Sequence, residues 1–303
     1  MIARQILQVP VWWLAGFATL LDARPQPTPA AADGIVGVTA VASKVSRDYV
    51  RTKLPDGTFQ PEYYSFGKGG NWGGEISDAT IDKLHFLDVA HVIAYPLASQ
   101  NYLPATDPIK TKLVIMVYWG TTAVPFPFDE DPLAQNYQQS ISEYNLLLAQ
   151  GNVDEADAVL TSGLHQLAMA NRQRDIINFR NANMIGYDAD GLIGTDYGEN
   201  IRHRVLGWKQ RDEVAEIEEP RYFVVLMAYD FQLVWKEKKH KLLWETRFSI
   251  NERHNQFDKA LPVMAQSASQ YFGQPSNGLL RTRVPEGRVN VGEVKSLGEV
   301  PEK

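Results

Sequence analysis

Three continuous apolar runs along the chain predict buried β-strands. They cover residues 35–43, 112–119 and 222–231, and turn-forming residues bound them. Short runs rich in β-branched and aromatic residues are typical of strands that are covered on both faces. We therefore expect these three segments to lie in the interior of one sheet.

A fourth segment, residues 242–250, alternates between two faces. One side carries Trp244 and Phe248, and the other side is polar. Alternation with a period of two predicts a strand with one buried face, so Trp244 is a predicted core residue. We expect this strand to pair with the one at 222–231 through a solvated basic turn at 236–241.

Apolar residues at helical spacing predict the helices that cover this sheet. The first begins near Asp78 and is kinked or ended by Pro96. A helical hairpin follows at about 134–186, with a break at Gly151, and a last helix covers 257–271. The predicted order along the chain is strand, helix, strand, helical hairpin, strand, strand, helix.

This order of elements predicts an α/β (α+β) fold, in which a mixed β-sheet packs against helices and the helical hairpin is an insertion. We assign residues 33–275 to a single α/β domain. Residues 1–32 have the pattern of an export signal and a Pro/Ala linker. Residues 276–303 are expected to form an extended or partly disordered tail.

The N-terminus has the pattern of a signal peptide. Arg4 precedes an apolar run at 6–21, and a small-residue stretch then ends at Ala32. This succession predicts cleavage before Asp33 and a periplasmic or secreted protein with no stable membrane span after cleavage. An uncleaved anchor and an N-terminal core helix remain alternatives, although Pro10 interrupts the apolar run.

Composition narrows the classes of chemistry. The chain has no cysteine, which excludes disulfides, thiolate metal sites and cysteine nucleophiles. Its formal net charge of −6 disfavours nucleic acid as a partner. The glycine run at 67–74 lacks P-loop spacing, and no GxSxG nucleophile motif occurs. We therefore expect no cofactor.

One acidic stretch, YDADGLIGTDYGE at 187–199, has part of the ligand spacing of a calcium loop. However, Leu192 and Ile193 stand where such a loop needs an oxygen ligand and a glycine. We interpret the stretch as a Gly/Asp turn and keep calcium binding as the alternative. The metal ligands in that alternative would be Asp188, Asp190, Asp196 and Glu199.

The segment 51–75 is rich in glycine, proline and aromatic residues, and this predicts a long loop. Exposed aromatic side chains in a loop can form a surface for a protein or glycan partner. The alternative, which we favour, is that they fold back over the sheet edge as a small satellite core. The candidate binding surface consists of Tyr63, Tyr64, Phe66 and Trp72.

Four motifs together resemble a group of uncharacterised exported bacterial domains, many of them lipoproteins, known as domain of unknown function 4136. The motifs are VGVTAVAS, LASQNYLP, KLVIMVYW, and YFVVLMAYDF followed by KLLWETRF. The resemblance covers about half the chain and implies an exported α/β domain without an assigned reaction. The chain departs from it in lacking the lipid-attachment cysteine, in Glu245-Thr246, where a small residue is usual, and in the helical insertion.

The function that we expect is that of a non-catalytic cell-envelope protein, which binds another envelope protein or a cell-wall component. A structural domain whose hairpin mediates oligomers, and a calcium-stabilised domain, are alternatives. A further alternative is a hydrolase that uses dispersed carboxylates. Its candidate acidic residues are Asp129, Glu130, Asp131, Glu218 and Glu219.

Overall fold

A seven-stranded mixed sheet forms the centre of the protein, in the order β3-β2-β4-β5-β6-β1-β7. The structure is a computed structural model that describes residues 37–72, 78–192 and 208–283. The strands are β1 (Val38–Val45), β2 (Glu62–Trp72), β3 (Tyr102–Pro104), β4 (Leu113–Thr121), β5 (Arg221–Asp230), β6 (Leu242–Asn251) and β7 (Leu280–Arg283).

Helices cover both faces of this sheet, which gives three layers and confirms the α/β class. The second and last helices pack on one face, and the end of the fourth helix packs on the other with the fifth and sixth. The helices are α1 (Ala79–Asp82), α2 (Phe86–Ser99), α3 (Pro132–Ala149), α4 (Val153–Ile185), α5 (Ala189–Leu192), α6 (Trp208–Glu218), α7 (Phe231–Glu237) and α8 (Phe257–Ala268).

The four predicted strands appear as β1, β4, β5 and β6, and the predicted pairing of β5 with β6 is confirmed. These two strands are antiparallel, with Val224 opposite Phe248 and Ala228 opposite Trp244. Their connection differs from the predicted turn, because it contains the seven-residue helix α7. Asp230 accepts a hydrogen bond from the backbone N–H of Leu233 and so caps this helix.

The larger core lies between the sheet and helices α2 and α8. Trp244 is 1% exposed there, and its ring stacks on Phe272 with the centroids 6.1 Å apart. Tyr102 packs beside Trp244 at 5.8 Å between ring centroids. The prediction that Trp244 is a core residue is confirmed.

The predicted helical hairpin is confirmed as α3 and α4. Gly151 has a φ of 82° in the turn between the helices, a backbone conformation that favours glycine. Gly163 lets the two helices approach closely, because a Cβ there would lie 2.6 Å from the Cβ of Ser140. The α4 residues in the core on this face, Phe179, Ala182, Met184 and Ile185, all belong to its last third. The rest of the hairpin therefore projects from the sheet.

The prediction of a long loop over 51–75 is wrong for residues 62–72, which form strand β2. This strand lies parallel to both β3 and β4. Its glycines hid the strand pattern, yet they have a packing role: a Cβ at Gly69 would meet the ring of Tyr118 at 2.6 Å. The glycines make room for large side chains of β4.

Two predicted helix boundaries also differ. The helix expected from Asp78 is divided into α1 and α2, and Asp78 caps only the first of them. Helix α2 then continues past Pro96 to Ser99. The last helix, α8, ends at Ala268 and passes into a 3-10 turn at Ser269–Tyr271. Within the segment 276–303, which was expected to be an extended tail, Leu280–Arg283 form β7, and this strand pairs with β1.

Candidate functional site

The connector between β4 and α3 forms the most distinctive surface of the described structure. Its sequence, TTAVPFPFDEDP, alternates prolines with apolar residues, and proline fixes an extended backbone without donating a hydrogen bond. Phe126 is 63% exposed and Phe128 is 45% exposed. Asp131 ends the connector by capping α3, where it accepts hydrogen bonds from the backbone N–H groups of Leu133 and Ala134.

Polar side chains of α4 hold this connector in place. The side-chain amide of Asn181 donates to the carbonyl oxygen of Ala123 at 2.6 Å and accepts from the N–H of Ala123 at 3.2 Å. Arg174 donates to the carbonyl oxygen of Phe126 at 3.3 Å. Because Asn181 is fully buried, the connector is fixed at its sheet end while its two phenylalanines face outward.

Arg174 is itself fixed by Glu218 at the end of α6. Its Nε and Nη2 donate to the two carboxylate oxygens of Glu218 at 2.6 and 2.5 Å, and Asn178 donates to the same carboxylate at 2.7 Å. The hydrogen bond from Arg174 to Glu218 raises the pKa of the guanidinium above its ordinary value. Planar two-bond pairing of this kind holds both partners in a defined geometry.

The connector and α4 enclose a groove of about 270 Å³, which we call the hairpin-base groove. Its apolar walls are Pro125, Phe126, Phe128, Ile176 and Ile177, with Arg174 and Asp131 among the polar lining residues. A second groove, of about 450 Å³, is lined by Phe128, Asp129 and residues at the start of α3. Phe128 therefore contributes to both grooves.

Further apolar side chains are exposed along the projecting hairpin. A two-helix hairpin buries only the seam between its helices, so residues off this seam stay in solvent unless another surface covers them. Ile176, at the hairpin-base groove, is 52% exposed. The other exposed apolar residues of the hairpin are Leu146, Leu148, Val153, Leu164 and Met169.

The connector and the far part of the hairpin are acidic. From Leu113 to Asn171 the chain has seven carboxylates and no lysine or arginine, whereas Arg172, Arg174 and Arg180 follow on α4 at the base of the hairpin. Asp129 and Glu130 follow Phe128 and are exposed, and Asp129 lines the second groove. Exposed apolar side chains next to carboxylates are complementary to a cationic segment that also carries apolar side chains.

The aromatic residues proposed as a binding surface do not form one. Tyr64 is 1% exposed and belongs to the larger core, with Phe66 packed beside it at 4.8 Å between ring centroids. Trp72 packs on Tyr118 in the core on the opposite face of the sheet, at 4.9 Å between ring centroids. Of the four, Tyr63 is exposed, at 38%. Tyr64 and Phe66 share one face of the strand, and the irregularity between Lys68 and Gly70 places Trp72 on the other face, so the four residues do not share a surface.

The proposed metal ligands are only partly within the described residues. Asp188 accepts a hydrogen bond from the N–H of Gly191 at the start of the short helix α5, and Asp190 lies inside that helix. Asp196 and Glu199 lie outside the described residues. Within residues 37–72, 78–192 and 208–283, no three His, Cys, Asp or Glu side chains are grouped so that they could hold a metal ion.

Three of the five carboxylates proposed for a hydrolase have structural partners. Glu218 accepts hydrogen bonds from Arg174 and Asn178, Glu219 accepts one from the side chain of Asn251, and Asp131 caps α3. Each of the two grooves at Phe128 is lined by one carboxylate, whereas acid–base hydrolysis of glycosides needs two across one cleft.

A second polar cluster, at the β2–β3 edge of the sheet, has a structural role. The guanidinium of Arg51 lies between the rings of Phe59 and Tyr102, at 4.3 and 4.0 Å from their centroids. The hydroxyl of Tyr49 donates to Glu62 at 2.5 Å, and burial raises the pKa of Tyr49 far above its usual range. These contacts hold the segment between β1 and β2 against the sheet.

No protein-family model matches the chain, and no curated protein matches it. Among the described helices, none has both the length and the apolar character needed to cross a membrane. The surface at Phe126 and Phe128 was not predicted from the sequence, although the alternation of prolines with apolar residues just before an acidic cap is a signal that could have indicated it.

Proposed function

We propose that this protein is a non-catalytic binding protein of the cell envelope and that the hairpin-base groove is its partner site. The observation that carries the proposal is the exposure of Phe126, Phe128 and Ile176 around one groove, with the exposed carboxylates Asp129 and Glu130 next to Phe128 in the chain. Exposed aromatic anchors beside a preformed concave surface are typical of protein interfaces. The partner is a protein segment that carries both lysine or arginine and apolar side chains.

The assignment to the envelope rests on the sequence. The basic and apolar start of the chain, and the resemblance to exported lipoprotein-like domains of the group named domain of unknown function 4136, support it. The observed α/β class is compatible with that resemblance. Binding at the groove and export to the envelope are separate parts of the proposal and need separate tests.

Binding is tested with two synthetic amphipathic peptides, one of leucine and lysine and one of leucine and glutamate. Fluorescence anisotropy measures their affinities for the full chain. We expect the lysine peptide to bind, and the double variant Phe126→Ser, Phe128→Ser to weaken it about tenfold or more, the effect of removing interface anchors. The glutamate peptide should not bind.

The control variant is Tyr95→Ser. Tyr95 is 49% exposed and lies on α2, on the other side of the sheet. It removes an exposed aromatic ring without touching the groove, so it should leave the affinity unchanged. Equal binding of the two peptides, or equal losses in both variants, would refute the assignment of the groove.

A further inference from the structure

The end of the sheet that lies opposite the hairpin-base groove is basic. Strand β4 runs from Leu113 to Thr121, and in the antiparallel pairing Leu113 lies opposite Asp230 at the start of α7. The segments 105–112 and 231–241 meet at this end and carry six lysines against two carboxylates. We call this region the basic end; its lysines are Lys110, Lys112, Lys236, Lys238, Lys239 and Lys241.

Hydrogen bonds hold the two segments of the basic end together. The side-chain amide of Gln232 donates to the carbonyl oxygens of Pro108 and Thr111, each at 2.8 Å. The backbone N–H of Phe231 donates to the carbonyl oxygen of Lys112 at 2.9 Å. The 105–112 segment and α7 therefore present one continuous, fixed surface.

Apolar side chains stand among these lysines. Ile109 is 80% exposed, next to Lys110. On α7 no residue is buried, and the rings of Phe231 and Trp235 stack on each other at 6.1 Å between centroids. The basic end thus combines exposed cations with a protruding aliphatic residue and a half-buried aromatic pair, which is the chemistry that the hairpin-base groove would bind.

The two ends of the sheet carry opposite charges: the connector has the carboxylates Asp129, Glu130 and Asp131, and the basic end has six lysines. Two grooves packed together would bring the connector carboxylates of one copy against the same three of the other. A connector against a basic end pairs opposite charges and matches Ile109 with the apolar groove. Charge complementarity therefore selects a contact between unlike ends.

We infer that the chain associates with itself head to tail, with the basic end of one copy seated on the hairpin-base groove of the next. The inference rests on the proposed function and names its partner: the cationic, apolar segment is α7 with the 105–112 segment of a second copy. Such a contact joins different surfaces of the two copies, so it builds a ring if the rotation closes and a linear chain if it does not.

Charge reversal at each end tests the inference. The acidic variant is Asp129→Lys with Glu130→Lys, which leaves the Asp131 cap intact. The basic variant is Lys110→Glu with Lys236→Glu. Sedimentation velocity of the full chain should show concentration-dependent association at about 0.05 M salt that weakens at about 0.5 M, where ionic screening is strong.

Each variant alone should associate at least about tenfold more weakly than the parent chain, because like charges then face each other. A mixture of the two variants should associate again, since the unchanged basic end of the acidic variant matches the unchanged groove of the basic variant, and the two reversed ends match each other. The chain that carries all four reversals should also associate. The control, Asp212→Lys with Lys259→Glu, reverses exposed charges outside both ends and should behave as the parent chain.

Association that survives each reversal, or that the mixture fails to restore, would overturn the inference. Association through the N-terminal apolar segment would survive each reversal, because all variants share that segment. Binding to phosphatidylglycerol vesicles that is lost in the basic variant, without self-association, would also overturn it and assign the basic end to a lipid surface. If the leucine–lysine peptide still binds the groove in either case, the proposed function stands and only the second copy is excluded as its partner.

Discussion

Arg174 on α4 and Glu218 at the end of α6 form a two-bond ion pair, and through it the groove is connected to the sheet. Arg174 also donates to the carbonyl oxygen of Phe126, so the pair controls the position of the exposed phenylalanine. The two side chains are 35% and 20% exposed. They are therefore shielded from water only in part, and screening limits what the pair contributes.

Glu218→Ala should lower the free energy of unfolding by about 1 to 3 kcal/mol, because hydrogen bonds to a charged group are removed and the donors of Arg174 and Asn178 are left without this acceptor. It should also weaken peptide binding at the groove. Denaturant unfolding and anisotropy measure the two effects. Glu237→Ala is the matched control: it breaks a pair with Lys239 whose side chains are 50% and 73% exposed, and should cost under about 1 kcal/mol.

Trp244 and Trp72 lie on opposite faces of the sheet, so their substitutions test the two cores separately. Trp244→Ala should cost about 3 to 5 kcal/mol, the range for a buried aromatic residue. Trp72 is half-buried on the opposite face, on Tyr118 and Phe223, so Trp72→Ala should cost about 1 to 2 kcal/mol, which is more than a loop residue would lose. Denaturant unfolding of the two variants measures both losses. An equal or larger loss at Trp72 would contradict the placement of Trp244 at the centre of the larger core.

The pH dependence of stability should show the contribution of Asp78. Burial disfavours its ionised form, but hydrogen bonds from Tyr222 and from the N–H and hydroxyl of Thr80 outweigh burial and hold the pKa of Asp78 below its ordinary value. A carboxylate with a lowered pKa in the folded state stabilises above its unfolded pKa of about 3.9, and this contribution is lost as the pH falls through the folded pKa.

The deficit in unfolding free energy of Asp78→Asn relative to the parent chain should therefore be present at neutral pH and shrink towards pH 2, where Asp78 becomes protonated. Urea unfolding of both chains across this range gives the comparison. A deficit that stays constant with pH would show that ionisation of Asp78 adds nothing to the stability of the fold.

Export is tested at the N-terminus. The succession of a basic residue, an apolar run and Ala32 predicts that the protein from its native host begins at or near Asp33. N-terminal sequencing of the protein from the envelope fraction measures this, with Ala32→Arg as the variant that should block cleavage. An intact Met1 on a cytosolic product would contradict the export part of the proposal.

The elements that sequence patterns predicted well are those in which one pattern extends over many residues. The continuous apolar run of β4 and the alternation of β6 both identified strands, and the break at Gly151 identified the hairpin. Strand β2 was missed because its pattern depends on a neighbouring strand. In the sequence, Gly67 and Gly69 indicate a loop, but in the structure they make room for side chains of β4.

The candidate site could not be predicted in the same way. Phe126 and Phe128 are apolar, and a sequence alone favours burying them. Their exposure follows from the way the short connector is held at both ends. Asn181 bonds Ala123 at its start, and Asp131 caps α3 at its end, so the connector lies on the outside of α4. Likewise, Arg174 and Glu218 are 44 residues apart in the chain, and only the tertiary fold brings them together.

The measurement that tests the groove most directly is site-specific photo-crosslinking in the native host. A photoreactive phenylalanine analogue replaces Phe128 in one strain and Tyr95, which is exposed on α2, in a matched strain. The account predicts a discrete protein adduct from position 128 that is lost in the Glu218→Ala background, and none from position 95. Absence of an adduct at 128, or equal adducts at both positions, would contradict it.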